Sequence, residues 1–398
     1  MSPAAVTSVD LTDSRTFFEH DPFEFFAAAR AREPVYWHEA SGDLPGFWVV
    51  TDYDSVVDCY RDPATLGSGR GTVLDVLLRG DDSAGGKMLA VTDPPRHREL
   101  RALLWRALSP KVLNRVVREV EAYTTALIGA AVEEGSFDFA TRVAEHVPMN
   151  TICDLLSVPE RDRPDLLDWS KGALAGADEL DSLEARNELV LYFMNLGAFR
   201  RAHPGDDVVS TIATGTIDGE PLTLEEVALN CYSLVIGGDE SSRVSAVGTV
   251  KALAEAPEQW HALRAGRIDP DTAVEEALRW ATPSLHFART AVRDRVIGDK
   301  AVRAGEIVSL WNISANNDER VFPAPRSFEL SRTPNKHVAL GHGPHYCLGA
   351  FLGRVELRAL MGALVGAVSE IELLGTPTRI QSNFLNGYSS LPVRFSPR

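Results

Sequence analysis

One cysteine stands out for the chemistry its neighbours allow. Cys347 lies in the run Leu340-Gly341-His342-Gly343-Pro344-His345-Tyr346-Cys347-Leu348-Gly349, stiffened by glycine and proline. After it Leu348, Phe351, Leu352, Val355, Leu357, Leu360 and Leu364 recur with helical periodicity, while Arg354, Glu356 and Arg358 take polar positions. A thiol at a helix N-terminus is expected to lean toward thiolate, because free amides and the positive end of the helix dipole face it, and thiolate is a soft metal ligand. The flanking glycines would let the backbone approach something large and flat. His342 and His345 keep a second reading open, a zinc site in which His-x-x-His-x-Cys supplies three ligands, although no fourth is evident.

Other reactive groups sit on helices. Asp93-Pro94-Pro95 opens a helix bearing His97 and Arg101, whose four-residue spacing puts both on one face, where they can reach one anion. The longest helical pattern starts at Leu222-Thr223-Leu224 and runs to about Glu255. Gly237 and Gly238 interrupt it, at a cost of roughly 1–2 kcal/mol relative to alanine. They mark either close helix packing or a local widening or kink that leaves room for a small molecule beside Glu240 and Ser241. Ser233, Gly237 and Ser241 share that face, with Ile236 next to them. A further helix, Thr272 to Trp280, carries Glu276 and Arg279; alone, such a pair is a surface contact worth a few tenths of a kcal/mol.

The remaining pattern supplies the frame. A helix from Asp21-Pro22 to Ala31 precedes two strands, Val35-Tyr36-Trp37 and Phe47-Trp48-Val49-Val50, and then a helix over 53–60. Residues 64–90 read as a Gly/Asp-rich loop with an apolar run that packs on the core or serves as a lid. Helical patterns dominate from Lys111 to Ala202, broken at Pro148, Pro159 and Pro164, and 203–220 reads as loop. Short strands are expected around Arg289, Val296, Ala301 and Ile307, an irregular stretch from Asn316 to Pro334, and strand, turn, strand from Gln381 to Phe395.

With 398 residues, 44% hydrophobic and 24% charged, the chain can bury a large core. No linker or repeat divides it, so one domain over 1–398 is expected. A net charge of -16 argues against nucleic acid as a partner. Locally the balance reverses: Arg96, Arg98, Arg101, Arg106, Lys111, Arg115 and Arg118 face only Glu99, either as a solvated helix face or as a docking patch for an acidic partner. Cys59, Cys153, Cys231 and Cys347 show no paired spacing, which fits a reducing cytoplasm. Met1 to Asp21 has no basic segment followed by an apolar run, and no stretch reaches the length of a membrane span, so a soluble protein without membrane contact is expected.

Taken in order, these features resemble the soluble bacterial branch of the cytochrome P-450 superfamily over nearly the whole chain. The cysteine run matches the family's Phe-Gly-x-Gly-x-His-x-Cys-x-Gly pattern, except that Leu340 stands for Phe. Glu276-Ala277-Leu278-Arg279 matches its Glu-x-x-Arg pair, with Arg332 in the place of the second arginine. Asp93 through Arg101 resembles its heme-side helix, and Gly237-Gly238-Asp239-Glu240-Ser241 its oxygen-binding segment, with Ser241 where Thr is usual.

The resemblance implies a mainly α fold with small β-sheets, a triangular, helix-rich single domain. It implies heme b (iron protoporphyrin IX) with its iron held by Cys347, whose thiolate pushes electron density onto the metal and favours O–O cleavage. Amides of Leu348 and Gly349 would tune the sulfur. His97, Arg101, Arg289 and His345 would hold the propionates, and Glu276, Arg279 and Arg332 would form a buried structural network under the loop. Glu240 and Ser241 would deliver protons. Pocket walls would come from the 64–90 loop, the 165–200 region, Ser233, Ile236 and Gly237, Ser284 to Phe287 with Leu285 and His286, and Phe384 to Tyr388 with Leu385. His286, Asn383 and Asn386 would each fix a polar group of the substrate or simply bond backbone.

The implied activity is O2-dependent monooxygenation by heme, hydroxylating a C–H bond of a small organic, secondary-metabolite substrate, free or tethered to a carrier protein. Epoxidation, aryl coupling or oxidative cyclisation are alternatives. No reductase domain fits in 398 residues, so electrons would come from a separate ferredoxin or flavodoxin with its reductase, docking near Arg98, Arg106 and Arg354. A heme protein that binds a partner without turnover is the other class, and Glu240, Ser241 and Cys347 speak against it.

Overall fold

The computed structural model describes residues 9–175 and 179–398. Residues 1–8 of the N-terminal stretch and residues 176–178 of the expected 165–200 wall lie outside them. Helices dominate, and the long central helix Leu224–Glu255 is packed against Glu179–Ala202, His146–Leu156, Pro270–Ala281 and Ala350–Ala367. Its start is fixed by a capping box: Thr223 Oγ accepts from the Glu226 amide while the Glu226 carboxylate accepts from the Thr223 amide.

The helix runs unbroken through Gly237 and Gly238. The two glycines have different reasons. A Cβ on Gly238 would collide with the Ile152 side chain, whereas one on Gly237 would meet nothing. Close packing explains the first; at the second the missing side chain, not a kink, makes room.

The largest sheet is mixed, in the order Val35–His38, Phe47–Val50, Ile307–Leu310, Phe287–Ala291, Leu66–Gly67. Val35 pairs with Val50 and Trp37 with Trp48 across the first hairpin, and Val308 pairs in parallel with Trp48. This sheet sets Arg289 in register opposite Val308. A second sheet joins Val368–Leu373, Pro392–Pro397 and Ser136–Asp138.

Several expectations change. Pro148 lies within His146–Leu156, in its first turn, and does not break it. The 64–90 segment holds a helix, Leu74–Arg79, whose Leu74, Leu77 and Leu78 are buried in the core, while Val73 and Met88 to Ala90 open on a cavity. The 203–220 segment holds the helix Val208–Ala213 and a two-stranded hairpin. The helix after the cysteine starts at Ala350, so Leu348 precedes it. Among the described residues, no helix is long and apolar enough to cross a membrane.

Candidate functional site

A cavity of about 460 Å³ is lined both by the central helix and by the cysteine loop, Cys347 included. Four constraints hold the cysteine loop: the Cys347 amide donates to Leu340 O (2.9 Å), the Tyr346 amide to Gly343 O (3.0 Å), and Gly341 and Gly343 take φ of +70° and +68°. Gly343 is required by the fold itself, because a Cβ there would strike the Tyr60 carbonyl at the end of the helix Tyr53–Arg61. That close approach is to the protein's own backbone, not to a ligand. Arg61 Nε donates to His342 Nε2 (2.9 Å) in the same contact.

Cys347 is exposed, but to this cavity. Enclosure pushes its thiol above 9.0, opposed by the Gly349 amide and by Arg101 and Arg354. Burial therefore outweighs the expected lean toward thiolate; of the two expected amides, only that of Gly349 acts on the sulfur. A bound metal ion would invert this balance, since a coordinating thiol deprotonates outright. Zinc is not served: among the described residues, no three His, Cys, Asp or Glu side chains converge as a metal would need.

At the cavity's edge stands a cluster of unpaired cation formers. His97 is 1% exposed, and neither of its ring nitrogens finds a partner. Its ring lies 4.1 Å from that of His345, whose Nε2 is also unpartnered. Arg289 is buried under a cation–π contact with Tyr60 (5.5 Å), and its guanidinium donates only to the carbonyl of its neighbour Ala288 (2.7 Å). Arg101 donates to Tyr346 O (2.7 Å). Burial, then Arg101, pushes His97 down to about 4; burial, then Arg289, pushes His345 down to about 2. Buried polar groups without partners are costly, so this cluster fits an anionic group, as two carboxylates of a cofactor would provide.

The central helix lines the other wall with Ser233, Ile236, Gly237, Glu240 and Ser241. Ser241 Oγ donates to Gly237 O (2.8 Å), which leaves its lone pairs free. Glu240 is clamped by Arg243, with Nε 2.9 Å from Oε2. Phe384 and Leu385 line the cavity; Leu285 and His286 do not. Leu285 packs in a core cluster with Ala288 and Trp311, and His286 lies between Trp311, in a tilted contact, and Phe384, in an edge contact, pushed down to about 3 by burial. Asn383 and Asn386 bond within the protein, to Asp75 (2.7 Å) and Ala281 O (2.7 Å).

Glu276 and Arg279 are far from a surface pair. Both side chains are 0% exposed, joined by two 2.7 Å bonds, and Arg332 Nε adds a third at 3.1 Å. Arg279 also donates to Asn316 O (3.0 Å), and Asn316 Oδ1 accepts from the amide of Val338 in the segment leading to the cysteine loop (2.7 Å). The three are thus brought together beside the loop's approach, away from the cavity.

Two acids escaped the sequence reading. Asp239, raised to about 6 by burial, accepts from Ser170 (2.7 Å). Glu356 lines the cavity with Oε2 unpartnered, and burial raises it to about 7 against the hydroxyls of Ser242 and Thr151. Its position among helical polar residues gave no sign that it faces inward. Glu356 stays protonated in the fold where the unfolded chain ionises near 4.5, so its stabilising contribution is complete below that pH and is lost as pH rises toward 7. Glu356→Gln should remove that loss: the variant's Tm relative to wild type should rise between pH 5 and 8, and parallel Tm curves would contradict it.

A cytochrome P-450 family model matches residues 271–368. Cytochrome P-450 NovI of Streptomyces niveus is 43% identical over 100% of this chain and 98% of its own length. A steroid C26-monooxygenase of Mycolicibacterium smegmatis is 31% identical over 99% of this chain and 95% of its own. Among solved structures, the P-450 OxyD, involved in the biosynthesis of vancomycin-type antibiotics, superposes with TM-score 0.89 at 34% identity over 98% of this chain and 100% of its own.

Proposed function

Because the chain belongs to the cytochrome P-450 family, we propose that Cys347 would hold the iron of its heme b through its thiolate and that the cavity beneath the central helix would hold the substrate. The protein is a heme-dependent monooxygenase. The observation that carries the assignment of the site is a cysteine on a cavity lined by Arg289 and by His345 with its unpartnered Nε2, the unpartnered His97 ring packing against His345. Heme bound there would supply reductive activation of O2 and transfer of one oxygen atom to substrate. We read residues 1–398 as one heme domain, in the cytoplasm, with none of its four cysteines in a disulfide.

His97, His345, Arg101 and Arg289 would bind the two propionates, ending the cost of their own burial. Ser241 and Glu240 would pass protons to the cavity. Arg243 holds both carboxylate oxygens of Glu240, so that Glu240 must leave this clamp to serve. The serine lacks the methyl that would fix its rotamer. Ser241→Thr should therefore lower hydrogen peroxide released per product about twofold, the factor a rotamer bias of about 0.5 kcal/mol gives; unchanged coupling would count against the role.

For electrons, we propose a separate ferredoxin or flavodoxin, reduced by its own reductase, docking at Arg98 and Arg106. Both are exposed, and Trp105 between them is 57% exposed. Arg354 leaves this set, because Glu275 holds it. Arg98→Glu with Arg106→Glu should slow reduction severalfold at low salt and less at high salt; equal stopped-flow rates would remove the site.

The wall is mostly apolar, with Phe287, Phe384 and Ile236 beside the hydroxyl of Ser233. We propose C–H hydroxylation of a largely hydrophobic secondary metabolite, free or carrier-tethered, a reading supported by likeness to OxyD, involved in the biosynthesis of vancomycin-type antibiotics. A panel of steroids and of aromatic amino-acid thioesters, titrated for the low-to-high-spin shift, tests it. Thioesters should shift the spin state and steroids should not; the reverse would move the substrate toward that named for the C26-monooxygenase.

A further inference from the structure

Glu275 and Glu276 are adjacent on the helix Pro270–Ala281, and neighbours in a helix do not face the same way. Glu276 joins the buried arginine network. Glu275 turns to the helix that follows the cysteine, where its two oxygens take both ends of the Arg354 fork, Nε to Oε1 at 2.6 Å and Nη2 to Oε2 at 3.0 Å. The third nitrogen, Arg354 Nη1, reaches back to the start of its own helix. There it donates to Tyr346 Oη (3.1 Å) and to Ala350 O (3.1 Å). One guanidinium therefore touches the residue before Cys347 and the first residue of the helix after it.

Tyr346 is held at its other end as well, because its carbonyl accepts from Arg101 Nη2 (2.7 Å). Glu275 is fixed in turn by His337, in the segment leading to the loop. The His337 side chain is 3% exposed and its Nε2 lies 3.2 Å from Glu275 Oε2. His337 Nδ1 accepts from the Ala339 amide (3.3 Å), and its Nε2 lies near the carboxylate without a hydrogen bond. Burial opposes ionisation of Glu275, yet His337 and Arg354 outweigh it and hold the carboxyl down at about 2. The anchor is thus charged at any working pH.

We propose that Glu275, Arg354 and Tyr346 form a brace that sets the position of Cys347 against its metal, with Arg354 as the positioning residue and His337 as the support of Glu275. The brace rests on the reading of Cys347 as heme ligand. It differs from the Glu276–Arg279–Arg332 network in reaching both flanks of the cysteine directly. Arg354 serves here through its planar fork, which lysine cannot copy. Glu356, in the same helix, faces the cavity and takes no part.

The test uses heme-loaded full-length protein and the variants Tyr346→Phe, Arg354→Ala, Arg354→Lys and the double Tyr346→Phe/Arg354→Ala. The readout is the rate at which the ferrous–carbon monoxide complex passes from its thiolate-ligated to its thiol-ligated spectrum, with Tm alongside. Arg354→Ala should accelerate the passage about 10-fold or more, the loss typical when a partner of a metal ligand is removed. Tyr346→Phe should accelerate it with little change in Tm, Arg354→Lys should rescue only in part, and the double variant should be no worse than Arg354→Ala alone. Arg358→Ala, which breaks an exposed pair with Asp271 one turn further along, should leave the rate unchanged. Wild-type rates in Tyr346→Phe and Arg354→Ala, or an equal acceleration in Arg358→Ala, overturn the brace. A wild-type protein that loads heme and shows no thiolate spectrum overturns the reading of Cys347 and the brace with it.

Discussion

Cys347→Ser should give a folded protein that has lost the thiolate spectrum of its ferrous–carbon monoxide complex and more than about 100-fold of its turnover, since even partners of a metal ligand cost 10–100-fold. A serine hydroxyl does not ionise in such a site, and its oxygen is a hard donor where the iron chemistry relies on electron-rich sulfur. The fold should survive because the loop is held by backbone, through the Cys347 and Tyr346 amides and the contact of Gly343 with Tyr60. Heme should still bind, held by the apolar slot and by His97, His345, Arg101 and Arg289. Heme content, far-ultraviolet circular dichroism and turnover on one sample check all three parts. Retained turnover with heme bound would remove Cys347 from the mechanism.

Glu276→Ala should fail earlier, at folding. The substitution leaves Arg279, 0% exposed, and Arg332, 6% exposed, without their carboxylate. It also strips the acceptor from the Glu329 amide (3.0 Å) and from Asn335 Nδ2 (3.0 Å). Breaking a buried pair by removing one partner costs about 3–5 kcal/mol, a large share of the stability of an ordinary domain. Soluble yield should collapse, or Tm should fall by several degrees where protein is recovered. Glu276→Gln, which keeps acceptors but not charge, should fall between. A Tm within a degree of wild type in Glu276→Ala would show that the network carries no structural load.

What could be read from the sequence was local. Cys347, its glycines and the periodic helix behind it lie within a few turns of chain. The run from Leu222-Thr223-Leu224 to Glu255 and the pairing of Glu276 with Arg279 follow from spacing as well. What could not be read depends on direction or on distant partners. Arg354 looked like a free surface charge because Glu275, its partner, lies 79 residues away. Glu356 looked like one more polar position on a helix, and only the packing of that helix against the central one turns it inward. Leu285 and His286 were assigned to the pocket wall with Phe384, but they lie behind it. The strand Ser136–Asp138 was missed because its ladder forms with Pro392 to Arg394, at the far end of the chain. Gly237 and Gly238 show the same limit: spacing revealed that both were unusual, while only their surroundings separate the one that faces the cavity from the one that packs on Ile152.

The most direct test of the account is the absorption spectrum of the freshly purified, heme-loaded protein, reduced and exposed to carbon monoxide. A thiolate ligand on the iron shifts the Soret band of that complex strongly to the red, and Cys347 as the heme ligand predicts that shift in the wild type and its absence in Cys347→Ser. A wild-type protein carrying one heme per chain without the shift would contradict the central claim.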